Sequence, residues 1–188
     1  MVDYEGIIAT YCAGNLELQH ILLTHSRQVA DRALAIVKQH PEWVESGEVD
    51  PIFIEEAAML HDIGVVLCDA PKIHCFGQHS YIEHGYLGAE ILRQEGLTKH
   101  AAVAERHTGT GITYEQIIRE QLPIPVGDYL PRTLEERLIC YADKFYSKTK
   151  LGQDKPISKI RLHMWKYGSD AVKRFDDMQK CFEPIIEF

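Results

Sequence analysis

The sequence predicts an all-α fold, an irregular bundle of helices, on three observations. Apolar residues recur at helical spacing in successive stretches, helix start and stop signals flank those stretches, and no segment alternates with the period of two of a half-buried strand. At 188 residues the chain suits one domain, 1–188, with a core over about residues 16–150 and C-terminal helices at 156–188 packed on it.

The first predicted helix runs from Leu16 to about His40, where Leu18, Leu22, Val29, Ala33 and Ile36 form one stripe and Pro41 acts as a stop. His25 lies in that stripe, three residues after Leu22, so its ring should point inward. Asp50 and Pro51 read as N-cap and first-turn proline of a helix over Ile52–His61, with Gly64 placed to end it in a left-handed conformation. His61 and Asp62 therefore stand at a helix end. Residues 65–78, containing Pro71 and Gly77, read as an irregular loop.

Two further helices follow from His84, Leu87, Gly88, Ile91 and Leu92, and from Val103, Ala104 and His107, with Gly96 breaking the chain between them. Gly109 to Gly111 ends the second, and Pro123, Pro125, Gly127 and Pro131 mark a loop. Thr133 with Glu136 reads as a capping box for a helix that contains Asp143 and buries Leu134, Leu138, Ile139, Ala142, Phe145 and Tyr146. After Pro156, the spacing of Ile160, Met164, Ala171, Phe175, Met178 and Phe182 predicts terminal helices divided at Gly168.

Composition narrows the function. Residues 1–5 lack the basic and apolar regions of a signal peptide, and no apolar run reaches the span of a bilayer, so the expected location is cytoplasmic with no membrane partner. Five cysteines, with no C-x-x-C pair, argue against a disulfide framework and a thiolate zinc site. A net charge of −8 disfavours extended nucleic-acid binding, which needs a positive field. Seven Lys or Arg between Lys144 and Lys166 face one acid, Asp154, giving that stretch +6. Such a patch could hold an anionic substrate, although charge counting alone favours a solvated helix face.

Six potential metal ligands, His25, His61, Asp62, His84, His107 and Asp143, fall on five predicted helices, each on or beside an apolar face. Singly, a histidine there is more often a hydrogen-bonded core residue. Together, polar groups aimed into one core are costly unless a cation satisfies them. His25, His61, Asp62 and Asp143 would serve a first ion, while His84 and His107 would bind a second bridged by Asp62. Two ions roughly 3.5 to 4 Å apart can grip a phosphoryl oxygen and activate water. Nitrogen and oxygen ligands without thiolate suit Fe, Mn, Co, Ni or Zn, with Mg also compatible. His20, His40, His74, His79, His100 and His163 are left over, and of these His74 and His79 lie in the loop after the His-Asp pair, where surface positions are expected. The chain has no H-E-x-x-H, glycine-rich phosphate loop or G-x-S-x-G elbow.

The order His25, then His61-Asp62-Ile63-Gly64, then Asp143 resembles the HD-domain superfamily of metal-dependent phosphohydrolases, and the two intervening histidines resemble its dinuclear subgroup. The likeness covers roughly residues 20 to 150. It is closest to small HDIG-type proteins, through the stretches Glu105 to Thr113 and Gly127 to Glu136. The resemblance implies a helical HD-type fold and hydrolysis of a phosphomonoester or phosphodiester, with His25, His61, Asp62 and Asp143 on the principal metal and a small phosphorylated, nucleotide-like substrate. Asp62, His84 and His107 are read as the catalytic residues. The motif continues as Gly64-Val65-Val66, without the Glu-Asp pair of alarmone hydrolases or the lysine common in diadenosine tetraphosphate hydrolases. The extended GYP signature of cyclic-di-GMP phosphodiesterases is absent too.

Arg106, Lys144 and Lys148 are the expected phosphate contacts, with Lys72 a weaker candidate. Two other readings fit the same ligands: a mixed-valent di-iron oxygenase, and a non-catalytic sensor or binding domain stabilised by its metal. Homo-oligomerisation is left open.

Overall fold

A computed structural model describes residues 1–183, and these fold into ten α-helices and one two-stranded sheet. Helix α1 spans Tyr4–Cys12, α2 Leu16–Val37, α3 Pro41–Glu45 and α4 Pro51–Leu60. Strands β1 (Asp69–Ala70) and β2 (Cys75–Phe76) pair antiparallel. Then come α5 (His84–Gln94), α6 (Thr98–Arg106), α7 (Tyr114–Glu120), α8 (Leu134–Asp143), α9 (Ile157–Met164) and α10 (Ser169–Phe182). The all-α prediction stands, and the predicted terminal helices are described as far as residue 183, with 184–188 outside the described residues.

Side chains start these helices as their types dictate. Asn15 accepts the Leu18 N–H at the head of α2, Asp50 accepts that of Ile52 at the head of α4, and Thr133 accepts that of Glu136 at the head of α8. The expected capping box at α8 forms by half. The Glu136 carboxylate takes the Arg132 N–H at 2.7 Å and the Arg106 guanidinium instead of turning back to Thr133.

Helices α1, α3 and α7 were not foreseen. The first is capped by Asp3, which accepts the Gly6 N–H, and buries only Ile8 and Cys12, too few positions for a visible stripe. Pro41 opens α3 as its first residue rather than serving only as a stop. The loop expected over 65–78 is likewise ordered into the β1–β2 hairpin and two short 3₁₀ turns, Ile63–Leu67 and Pro71–Ile73.

Gly64 is also corrected. It does not adopt a positive φ, and it lies inside the 3₁₀ turn that follows His61 and Asp62. Glycine is needed there for closeness: a Cβ would collide with the main chain of His84 and Gly88 on α5. The missing side chain thus lets the His61-Asp62 corner press against the start of α5.

Two buried apolar clusters meet at this corner. One joins α4, α8, α9 and α10 with the later part of α2, from Val29 onward. The other joins α1, α5 and α6 with Leu18 and Leu22 of α2. His25 sits on α2 at the changeover, between Leu22 and Val29, so polar ligands gather where neither cluster fills the space.

Candidate metal centre

All six predicted ligands converge, and five of them stand at helix ends. His61 closes α4 with Asp62 next to it, His84 opens α5, His107 closes α6 and Asp143 is the last residue of α8. Three helix C-termini therefore meet at one place, and their partial negative charge favours a cation there.

Three rings are fixed the same way. The Nδ1 atoms of His61, His84 and His107 lie 2.6, 2.6 and 2.7 Å from the carbonyl oxygens of Ala58, Tyr81 and Ala104. A carbonyl only accepts, so each Nδ1 carries the hydrogen and each ring, whenever it is neutral, points a bare Nε2 lone pair inward. The His84 and His107 Nε2 atoms face each other at 3.0 Å.

Asp62 divides its carboxylate between the two groups. Oδ2 lies 3.1 Å from His25 Nε2 and 3.0 Å from His61 Nε2, while Oδ1 lies 3.5 Å from His84 Nε2 and 3.4 Å from His107 Nε2. Asp143 Oδ1 completes the first group, 3.0 Å from His25 Nε2 and 3.5 Å from His61 Nε2. His25, His61, Asp62, His84 and His107 are all buried.

The cluster does not satisfy itself. His61 Nε2, Asp62 Oδ1 and His25 Nδ1 are buried without a hydrogen-bond partner, and Asp62 Oδ2 has the Lys148 ammonium in ion-pair contact. Lone pairs crowded against carboxylate oxygens repel unless positive charge lies between them. Ligand atoms about 3 Å apart are also the separation that one ion with bonds of roughly 2.1 Å leaves between neighbours. The donor set, two carboxylates and four imidazoles in two groups sharing Asp62, fits a divalent transition metal.

Without an ion, protons and lysines carry the positive charge. Burial opposes ionisation of His61, yet Asp62 and Asp143 outweigh it and lift its pKa to about 9. Burial likewise opposes the Asp62 charge, but His61 and Lys148 hold its carboxyl well below the usual range. Asp143 is kept low by Lys144 against the same burial cost. Burial and the neighbouring His107 push His84 down to about 3, and burial lowers His107.

Of the three expected phosphate contacts, two reach the site. Lys148 Nζ lies 2.5 Å from Asp62 Oδ2, and Lys144 Nζ lies 2.7 Å from Asp143 Oδ2 and 3.1 Å from the His107 carbonyl. Arg106 does not. Its guanidinium lies 2.9 and 3.0 Å from the two Glu136 carboxylate oxygens and lines no part of the cavity.

A cavity of about 690 Å³ opens onto the cluster. His25, His84, His107 and Asp143 reach its wall, together with Lys72, Lys144, Lys148, Lys155 and Lys159. Tyr81, Tyr146, Tyr167, Ile160 and Met164 give it an apolar side. His163 lines it, whereas His74 and His79 do not. Sequence reasoning missed Lys155, Lys159, His163 and the three tyrosines as cavity residues. The one signal was the basic run after Asp143, which becomes a wall of this cavity and not only a solvated face.

Comparison with known proteins agrees with this geometry. A Methanocaldococcus jannaschii protein described as uncharacterized is 39% identical over 171 residues, covering 90% of this chain and 88% of that protein. A tRNA (cytidine(56)-2'-O)-methyltransferase of Thermoplasma volcanium is 31% identical over 167 residues, and one of Picrophilus torridus 34% over 103. The matched stretches cover 88% and 54% of this chain but only 43% and 26% of those enzymes. Among solved structures, the HD domain of the L. monocytogenes phosphodiesterase PgpH, crystallised with cyclic-di-AMP, superposes with a TM-score of 0.54 at 15% identity, covering 100% of both chains. The HD-domain family model matches residues 22–147, a span that holds every residue of the cluster; this chain belongs to the HD-domain family.

Proposed function

We propose that this chain is a metal-dependent phosphohydrolase acting on a phosphomonoester or phosphodiester bond of a nucleotide or related small molecule. The observation that carries the reading is the cavity: it opens onto the cluster with five lysines on its wall and Asp143 as the one carboxylate among its lining residues. Positive lining suits an anionic substrate and disfavours the di-iron oxygenase reading of the same ligands.

His25, His61, Asp62 and Asp143 would hold the principal ion, and Asp62, His84 and His107 a second. Bound there, a divalent ion supplies Lewis acidity toward a phosphoryl oxygen and toward water. Lys144 and Lys148 reach the cavity beside the two carboxylates and add positive charge where the phosphoryl group sits. The apolar side, Tyr81, Ile160 and Met164 among it, receives the uncharged part of the substrate and keeps bulk water from the reacting centre. Asp62, His84 and His107 are the proposed catalytic residues. We read residues 1–188 as one domain.

Neither methyl transfer nor tRNA binding is proposed, since a net charge of −8 offers no field for an extended polyanion. Among the described residues no helix is long and apolar enough to cross a membrane. The deciding experiment loads purified protein with Mn²⁺, Co²⁺, Ni²⁺, Fe²⁺ or Mg²⁺ and assays phosphate release from nucleotides, cyclic dinucleotides and sugar phosphates. Metal-dependent turnover that His61→Ala abolishes is the expected result. A fully loaded protein that turns over none of them overturns the reading.

A further inference from the structure

The lysines of the cavity fall into two groups. Lys144 and Lys148 are each committed to a carboxylate, Asp143 and Asp62. Lys72, Lys155 and Lys159 also line the cavity, and none has an ion-pair partner among the described residues. The scissile group at the cluster would already meet the ions together with Lys144 and Lys148. Three further cations exceed what one phosphate requires.

Lys155 is held by the fold, and Lys72 and Lys159 stand at exposed positions on the rim. Lys155 immediately precedes Pro156, the N-cap of α9, and its Nζ donates to the Lys144 carbonyl at 3.1 Å. Lys159 lies one turn further along α9, next to the buried Ile160. Burial, reinforced by the neighbouring ammonium groups of Lys144, Lys148 and Lys159, lowers the Lys155 pKa despite the pull of Asp143. Lys72 enters from the 3₁₀ turn between β1 and β2. Lys155 and Lys159 both lie beyond residue 147, where the family match ends.

We propose that Lys155 and Lys159, joined by Lys72, form a second anion subsite that takes a further phosphate group of the substrate, distinct from the one at the metal cluster. The substrate class is then a small molecule with two separated phosphates, such as a nucleoside bisphosphate. This rests on the cavity being the substrate site proposed above.

Binding tests the subsite without requiring turnover. Calorimetry on the metal-loaded full chain compares adenosine and guanosine 5′-monophosphates with the matching 3′,5′-bisphosphates. At least one bisphosphate should bind about tenfold more tightly, as one added charge-assisted contact set provides. That advantage should vanish in the Lys155→Met/Lys159→Met double variant, whose bisphosphate affinity should fall about tenfold further than its monophosphate affinity. Lys159→Met alone, at an exposed position, should remove part of it and guards against misfolding of the double variant. Equal affinities in the unaltered protein, or an advantage that survives the double substitution, would overturn the subsite. An advantage without any hydrolysis would retain the subsite and sink the hydrolase reading. Hydrolysis of monophosphates with no advantage would do the reverse.

Discussion

His84 and His107 meet Nε2 to Nε2 at 3.0 Å, although each Nδ1 hydrogen is committed to a main-chain carbonyl. Neither neutral ring can donate to the other. The contact becomes favourable only when a positive charge joins the two lone pairs and Asp62 Oδ1.

Replacing either ring by alanine should therefore remove one ion while leaving the group around His25 and Asp143 able to bind. We expect His84→Ala and His107→Ala to lower metal content by one ion per chain. Phosphate release should fall by at least about 100-fold, the upper range for loss of even an outer metal partner. Elemental analysis after dialysis checks the first number and a phosphate assay the second. Variants with full metal content and full turnover would rule out the second ion site.

Metal binding should release protons in a defined window. The pKa of His61 is raised to about 9 in the ion-free protein, so its ring is protonated at pH 7 and must lose that proton before an ion takes Nε2. Affinity should rise about tenfold per pH unit between pH 7 and 9 and level off above. His84 is pushed down to about 3 and is already neutral in that window, so it contributes no proton. Titration calorimetry at pH 7.5 in two buffers of different ionisation enthalpy reads the release directly. A binding enthalpy identical in both buffers would contradict the prediction.

Arg106 should matter for stability and not for substrate. Its Nη1 contacts both Glu136 oxygens in a largely buried pair, so Arg106→Met leaves the carboxylate without its cationic partner and should cost about 3 kcal/mol in urea unfolding. Metal content and KM should stay unchanged. A raised KM with unaltered stability would return Arg106 to the phosphate-binding set.

Gly64→Ala tests the close approach at the site. The added methyl meets backbone rather than a flexible side chain, so the turn or α5 must shift, at a cost of about 3 kcal/mol or more. The shift separates Asp62 from His84, and the variant should bind fewer ions even where it folds. An unaltered melting temperature and metal content would refute this account.

The metal cluster was more legible in the sequence than the cavity. Each of the six ligands sits on or beside an apolar stripe, and periodicity alone shows that such side chains turn inward. Helix α2 was equally readable from its apolar stripe, and the starts of α4 and α8 from the Asp or Thr cap that precedes each. Gly64 was misread because a glycine after a helix looks the same whether it serves a left-handed turn or a tight approach, and only α5 decides between them. Arg106 was misassigned because adjacency to His107 in sequence places its side chain on a different helix face, toward Glu136. Lys155 and Lys159 could be counted in a basic run, but which way that run faces depends on how α9 packs. No local pattern encodes that.

The position of α9 has an evolutionary corollary. In the proposed hydrolase the ions and the attacked bond would be handled by residues up to 148, while much of what selects the remainder of the substrate would come from a later stretch of chain. Drift or exchange within residues 149–167 would then redirect the protein to a new metabolite with its reaction chemistry intact. Relatives that keep all six ligands should then diverge most in this stretch.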